Sequence, residues 1–158
     1  MNLNNLKSKK YSAGEYIERG SACIMETDGT VYLFDITDSS HTLKYIGVAF
    51  NTCSQGQFVE IIQQGFLGWN GAPYQKGVVY YIGLDSKLTS TPPISGTIKA
   101  VAVGLPSTVI NGQPVQAVTV INENDDINSN ISGIDTLIDC GTFLTPNDFV
   151  LIDCNFFI

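Results

Sequence analysis

A stretch of this chain occurs twice, and that constrains the fold before any local propensity does. Gly71 to Leu105 reads GAPYQKGVVYYIGLDSKLTSTPPISGTIKAVAVGL. It joins a Gly-x-x-Tyr-x-x-Gly turn, the strand pattern Val78-Val79-Tyr80-Tyr81-Ile82, a polar loop closed by Pro92-Pro93, and a second strand pattern from Ile98 to Val103 that ends at Gly104. Gly14, Gly20 and Gly47 map onto Gly71, Gly77 and Gly104 at one shift of 57 residues. Between them, Val31-Tyr32-Leu33-Phe34 and Tyr45-Ile46-Gly47-Val48-Ala49-Phe50 supply the strand patterns of the first copy. Gly56-Gln57-Phe58-Val59 then matches Gly112-Gln113-Pro114-Val115 at a shift of 56, as a one-residue loop deletion would produce.

Short β-branched and aromatic runs recur every 8–12 residues, with Gly, Pro, Asn and Asp between them. That spacing marks an all-β sandwich or barrel. Ala22 to Met25 reads as a strand, Thr27-Asp28-Gly29-Thr30 as a hairpin turn, and Leu43 to Phe50 as another strand. Phe58 to Ile62 reads as a strand closed by Gln64-Gly65. No helical pattern of ten residues or more is present. The expected fold is all-β, a tandem repeat of antiparallel β-barrel or β-sandwich modules followed by a C-terminal β-hairpin. Residues 1–13 read as an arm without periodicity, 14–66 and 67–121 as the two repeats, 122–133 as a polar acidic linker, and 134–158 as the hairpin around Thr145-Pro146-Asn147-Asp148.

The 158 residues suffice for one domain, or two small ones, with a real core. Only 15% are charged, a surface poor enough in charge to be covered by partners. The charge of −7 is uneven: residues 1–99 hold eight basic and eight acidic groups, and everything after Lys99 is acidic or neutral. Nucleic-acid binding is not expected, for want of a basic footprint. No apolar run is long enough for a helix to cross a bilayer, so no membrane partner is expected. The polar start MNLNNLKSKKYS has no apolar signal core. Residues 1–13, with Lys7, Lys9, Lys10 and Tyr11, read either as a docking segment for an acidic protein surface or as a solvated terminal tail. At the other end Phe156, Phe157 and Ile158 call for burial, in an edge strand or a subunit interface.

No set of catalytic residues stands out, and the chain reads as a non-enzyme with no cofactor and no metal. His41 is the only histidine, sits in a Ser-Ser-His loop, and has no Gly-x-Ser-x-Gly nucleophile motif beside it. Asp125-Asp126 lies in a solvated linker, where desolvation cannot raise a pKa. Residues 122–130 carry oxygen ligands but not the spaced loop of a calcium site. Cys23, Cys53, Cys140 and Cys154 include no Cys-x-x-Cys pair, and one histidine cannot complete a Cys/His zinc set. Free buried thiols in a reducing compartment are expected. Cys140 and Cys154, in identical Leu-Ile-Asp-Cys tetrapeptides, fall on opposite faces of a hairpin centred on Pro146-Asn147 and together only if the register shifts by one. Trp69, Tyr74, Tyr80 and Tyr81 suit either a sugar-binding platform or a half-buried sheet, and the structural reading is preferred. Gly14, Gly20, Gly47, Gly71, Gly77 and Gly104 are read as turn and strand-end residues.

The run Gly-Ala-Pro-Tyr-Gln-Lys-Gly-Val-Val-Tyr-Tyr-Ile, with Lys-Leu-Thr-Ser-Thr-Pro-Pro and Ala-Val-Ala-Val-Gly-Leu after it, resembles a β-rich module of tailed-bacteriophage virion proteins. In that module a glycine turn leads into a valine-tyrosine strand, then a Leu-Thr loop with prolines, then a strand ending in Val-Gly. Val31-Tyr32-Leu33 with Ile46-Gly47-Val48-Ala49 fits the same pattern, so the resemblance covers about residues 14–121. Such modules occur in capsid-decoration proteins, head fibres and the anchoring ends of fibre proteins. The resemblance implies a non-enzymatic structural protein of a virion, made in the bacterial host cytoplasm. It would attach to the capsid as a head fibre or decoration protein. The implied partners are other virion proteins, foremost the major capsid protein, and copies of the chain itself in a homotrimer. A tail-fibre or baseplate component is the first alternative, and a carbohydrate-binding module or adhesin the second.

Overall fold

Runs of β-branched and aromatic side chains broken by Gly, Asp or Pro favour extended backbone over helix. The computed structural model describes residues 6–121. Strands account for 49% of it and helix for 3%. The strands are β1 (Lys7–Ser12), β2 (Ala22–Met25), β3 (Val31–Leu33), β4 (Tyr45–Ala49), β5 (Phe58–Trp69), β6 (Val79–Ile82), β7 (Leu88–Thr89), β8 (Ala100–Gly104), β9 (Thr108–Ile110) and β10 (Gln113–Val120). One single-turn helix, α1 (His41–Lys44), precedes β4. The strands run in the order β3-β2-β4-β5-β10-β8-β6-β7, with β1 added on β5 and β9 on β10. The pairs are antiparallel, and the sheet curls into a half-barrel.

β5 is the strand that joins the two sides. Its first part, Phe58 to Gln64, pairs with β1, and Ile61 and Ile62 also pair with β4. Its second part, Gly65 to Trp69, pairs with β10. The strand therefore does not close at Gln64-Gly65, as the local sequence suggests. Gly65 sits at φ +105°, a backbone open to glycine without steric cost, so it bends the strand and lets it continue. The boundary expected between residues 66 and 67 falls inside this strand.

Pairings in the first half have counterparts 57 residues later. Ile24 faces Tyr32 and Met25 faces Val31, as Tyr81 faces Thr89 and Ile82 faces Leu88. A register shift interrupts β2 against β4 between Cys23 and Ile24, and β6 against β8 between Tyr80 and Tyr81. The hairpin turns match in detail. Thr30 N–H donates to Asp28 Oδ1 at 2.9 Å, and Lys87 N–H to Asp85 Oδ1 at 3.0 Å. Gly29 and Ser86 hold the same left-handed position, at φ +83° and +66°.

The larger core draws on both sides of β5. Ala22, Ile24, Phe34, Ile36, Val48 and Ile62 pack with Leu67, Tyr74, Tyr80, Ile82, Ala102, Val118 and Val120. The two expected repeats thus share one interior rather than each closing its own. A smaller core lies on the other face of β2, β4 and β5, where Ala13, Ile17, Cys23, Val31, Ala49, Cys53, Val59 and Ile61 cluster. The Ile17–Cys53 bridge and the contact of Ala13 N–H with Gln57 O, at 2.8 Å, fold the segment after β1 over it.

Two further expectations need correction. The N-terminal arm is not free: residues 7–12 form β1, and Ala13 is buried. Lys-Ser-Lys-Lys-Tyr-Ser has no apolar alternation to betray a strand, because this strand is held by its backbone ladder to β5 and by Tyr11 against the smaller core. The strand expected from Leu43 starts at Tyr45, since residues 41–44 turn as α1 and leave Leu43 exposed. The hairpin at 134–158, the linker at 122–133, the Cys140 and Cys154 thiols, Asp125-Asp126 and the Phe156, Phe157, Ile158 cluster lie outside the described residues.

Candidate interaction surface

The residues that carry chemistry in sequence turn out to hold the fold. His41 clamps the loop between β3 and α1. Asp35 N–H donates to His41 Nδ1 at 2.9 Å, which assigns the ring hydrogen to Nε2, 3.4 Å from Asp38 Oδ2. The ring meets Phe34 edge-on with centroids 5.8 Å apart. Asp35 and Asp38 each close a small turn, accepting from Thr37 and Ser40 respectively through both hydroxyl and backbone N–H. These hydrogen bonds, the hydroxyl ones first, hold both carboxyl groups below their ordinary pKa of 3.8.

The aromatic run is split by burial. Tyr74 and Tyr80 lie in the larger core, packed edge-on at 5.2 Å, and Trp69 meets Tyr74 at 5.5 Å. Tyr80 Oη accepts from Gln75 N–H at 2.8 Å. Burial, with Tyr80 adding to it, pushes the Tyr74 hydroxyl pKa up, and Arg19 opposes the shift. Tyr81 points to the opposite face, half-buried. A flat sugar platform made of all four rings is therefore not assembled.

The six repeat glycines serve two separate ends. Gly20 and Gly77 occupy left-handed backbone, at φ +87° and +77°. Gly20 N–H donates to Ala49 O and Gly77 N–H to Gly104 O, closing the loop ahead of β2 and of β6. Gly14 and Gly104 are there for closeness instead. A side chain at Gly14 would enter the Tyr32 ring, and one at Gly104 would meet the Gln75 carbonyl. Gly47 and Gly71 also take positive φ. The thiols of Cys23 and Cys53 are free and buried, and burial raises the pKa of both.

What remains exposed is suited to contact. β1 has β5 on one side and no described strand on the other, so alternate backbone groups face outward. Lys7, Lys9 and Lys10 are exposed along it; Lys9 Nζ stands 5.7 Å from the centre of the Tyr11 ring, which is half-buried. A second patch surrounds the proline loop. Leu84, Leu88, Pro92, Pro93 and Ile94 line an open hollow of about 670 Å³ with Asp85 and Lys87 at its rim, and Leu84 and Ile94 are 76% and 102% exposed. The β9–β10 hairpin adds exposed Val109 and Ile110 beside a turn at Asn111-Gly112, φ +52° and +78°.

Sequence reasoning missed Arg19, the only arginine in the chain. Its guanidinium lies 4.2 Å from the centre of the Trp69 ring, above a hollow of about 480 Å³ lined also by Phe50, Asn51, Thr52 and Gly68. Glu18 and Arg19 look like an ordinary charged pair in sequence, and only the fold puts residue 19 on residue 69. No protein-family model matches the chain, and no curated protein matches it.

Proposed function

We propose that this chain is a non-enzymatic structural protein of a bacteriophage virion, attached to the capsid as a head fibre or decoration protein. Within it, residues 14–121 are a tandem duplication of one β-unit whose copies have fused around β5. The recurrence of strand register, bulge position and turn hydrogen bonds at a 57-residue spacing supports the duplication. The observation that carries the assembly reading is the exposure of large apolar side chains on loops and hairpins, Leu84, Ile94, Ile98 and Val109 among them. Apolar groups held at the surface of a protein that is only 15% charged favour burial against partners. Many weak contacts summed by symmetry would then hold it on a particle. The copies of such a protein form a homotrimer in this reading.

The buried positions of Tyr74 and Tyr80 weigh against the carbohydrate-binding alternative. The docking test must respect β1, because deleting residues 1–13 would remove a strand and a core residue. Lys7, Lys9 and Lys10 are exposed and can be reversed to Glu together. Co-sedimentation with purified particles stripped of this protein should then fall at least tenfold, with the thermal midpoint unchanged. Equal binding to tails and none to capsids would move the protein to the tail. No binding to either would remove the virion reading.

A further inference from the structure

The direction of each backbone group along β1 can be read from the residues that follow it. Ala13 N–H turns inward to Gln57 O at 2.8 Å, and Gly14 N–H turns outward to Val31 O at 2.8 Å. The register against β5 runs without a break from Ser8 to Ser12, so the alternation of an antiparallel ladder carries back along the strand. Lys9 and Tyr11 therefore face β5, while Ser8 and Lys10 turn their N–H and C=O groups outward. Val31 already pairs with this outer side at Ala13, through a parallel bridge. Upstream of it, among the described residues, no strand covers the edge.

The charge along that open edge is one-sided. Lys7, Lys9 and Lys10 are exposed and make up three of the eight basic groups of the chain. Lys9 Nζ stands over the Tyr11 ring, and Lys10 alternates to the opposite face, so both faces of the edge carry a cation. The ion pairs among the described residues use His41, Lys44 and Lys87 instead. Glu60 lies opposite Lys10, but its carboxylate accepts from Ser8 Oγ at 2.7 Å.

We infer that the outer edge of β1 takes an extended acidic segment of a partner protein, added as one more strand; the inference rests on the docking reading above and names what the lysines dock. The backbone groups of Ser8 and Lys10 pair with the incoming main chain, and the lysines select its carboxylates. A second β1 is the wrong occupant, because it would set lysines against lysines. A nucleic acid fits no better. Its phosphates have no N–H to give the outward carbonyls, and residues 1–99 hold as many acidic groups as basic ones.

Amide exchange of the full chain, with an eight-residue peptide of glutamate and threonine as the probe, tests the edge. Saturating peptide should slow exchange at Ser8 and Lys10 about tenfold and leave Lys9 and Tyr11 unchanged, because their amides already face β5. The same peptide with glutamine in place of glutamate should protect neither. Lys10→Pro removes an outward N–H and spares the ladder to β5. Its thermal midpoint should hold, while binding of the peptide and of stripped particles falls about tenfold, as for one or two lost hydrogen bonds. Lys9→Pro should lower the midpoint instead. Particle binding lost when Lys7, Lys9 and Lys10 are reversed to Glu, yet intact in Lys10→Pro, would remove the added strand and leave the docking reading standing. Protection by the peptide without binding to particles would remove the virion reading and leave the edge site. Protection by neither peptide nor particles would mean that the lysines only keep the edge from pairing, and would overturn the inference. Self-association of the wild type that Lys10→Pro abolishes would give the edge to a second copy. A single-stranded oligonucleotide bound as tightly as the peptide would overturn the inference in favour of a plain polyanion site.

Discussion

Asp35, Asp38 and His41 show how few atoms hold a loop that sequence reads as merely polar. Each aspartate accepts two hydrogen bonds from the residue two places on, and the imidazole accepts a third N–H within the same seven residues. The carboxyl pKa values are lowered, so the folded form prefers the charged state. Such a group adds stability above its unfolded pKa of about 3.9, and that contribution is lost as the pH falls through the lower folded value. Carboxyl NMR titration should therefore give midpoints below 3.8 for Asp35 and Asp38, and the protection of the Thr37 and Ser40 amides, relative to an unstructured peptide at the same pH, should fall at the acid end. A midpoint at or above 3.8 for either would mean its turn is open in solution. At this scale the sequence was partly readable. Asp-x-Thr and Asp-x-Ser announce such turns, but nothing in the order of residues says that His41 Nδ1 will meet Asp35 N–H. The Gly29 position was readable in full: Asp-Gly between two apolar runs calls for left-handed backbone, and φ is +83°.

At the scale of strands, positions 24 and 81 are counterparts with opposite fates. Ile24 is 1% exposed in the larger core, and Tyr81 lies half-buried on the outer face of β6. Truncating them to alanine should separate the two environments. Ile24→Ala should cost about 2–5 kcal/mol, the range for a core deletion. Tyr81→Ala should cost about 1 kcal/mol or less, as for a surface change. Urea unfolding monitored through Trp69 fluorescence measures both. Equal costs would mean that the outer face of β6 is covered in solution. Alternation in sequence placed the strands β2 and β6 well, but it could not say which side of each would be inside. That choice is made by what packs across the sheet. β1 illustrates the complementary limit, since a strand held mainly by its backbone ladder, with Tyr11 as its one ring against the smaller core, leaves no apolar pattern to read.

For the whole described unit, the shared interior has a thermodynamic consequence. Residues 14–66 contribute Ile24, Phe34, Val48 and Ile62 to the same core as Leu67, Tyr80, Ile82 and Val118. Neither half can unfold without exposing the apolar surface of the other, so one cooperative transition is expected. Calorimetric and van't Hoff enthalpies should agree, and a chain cut after residue 66 should not fold alone. Two resolved transitions, or a folded fragment, would separate the halves. The amino-acid sequence by itself determined the β class, the hairpin turns, the 57-residue spacing and the poverty of charge, because these depend on backbone preference and composition over a few neighbouring residues. The tertiary structure alone decided that β5 runs on through Gly65, that the two halves bury one core, and that Arg19 rests on Trp69. Each of these joins residues far apart in the chain, and their apolar and cation–π energies exist only once the sheet has curled and brought them together.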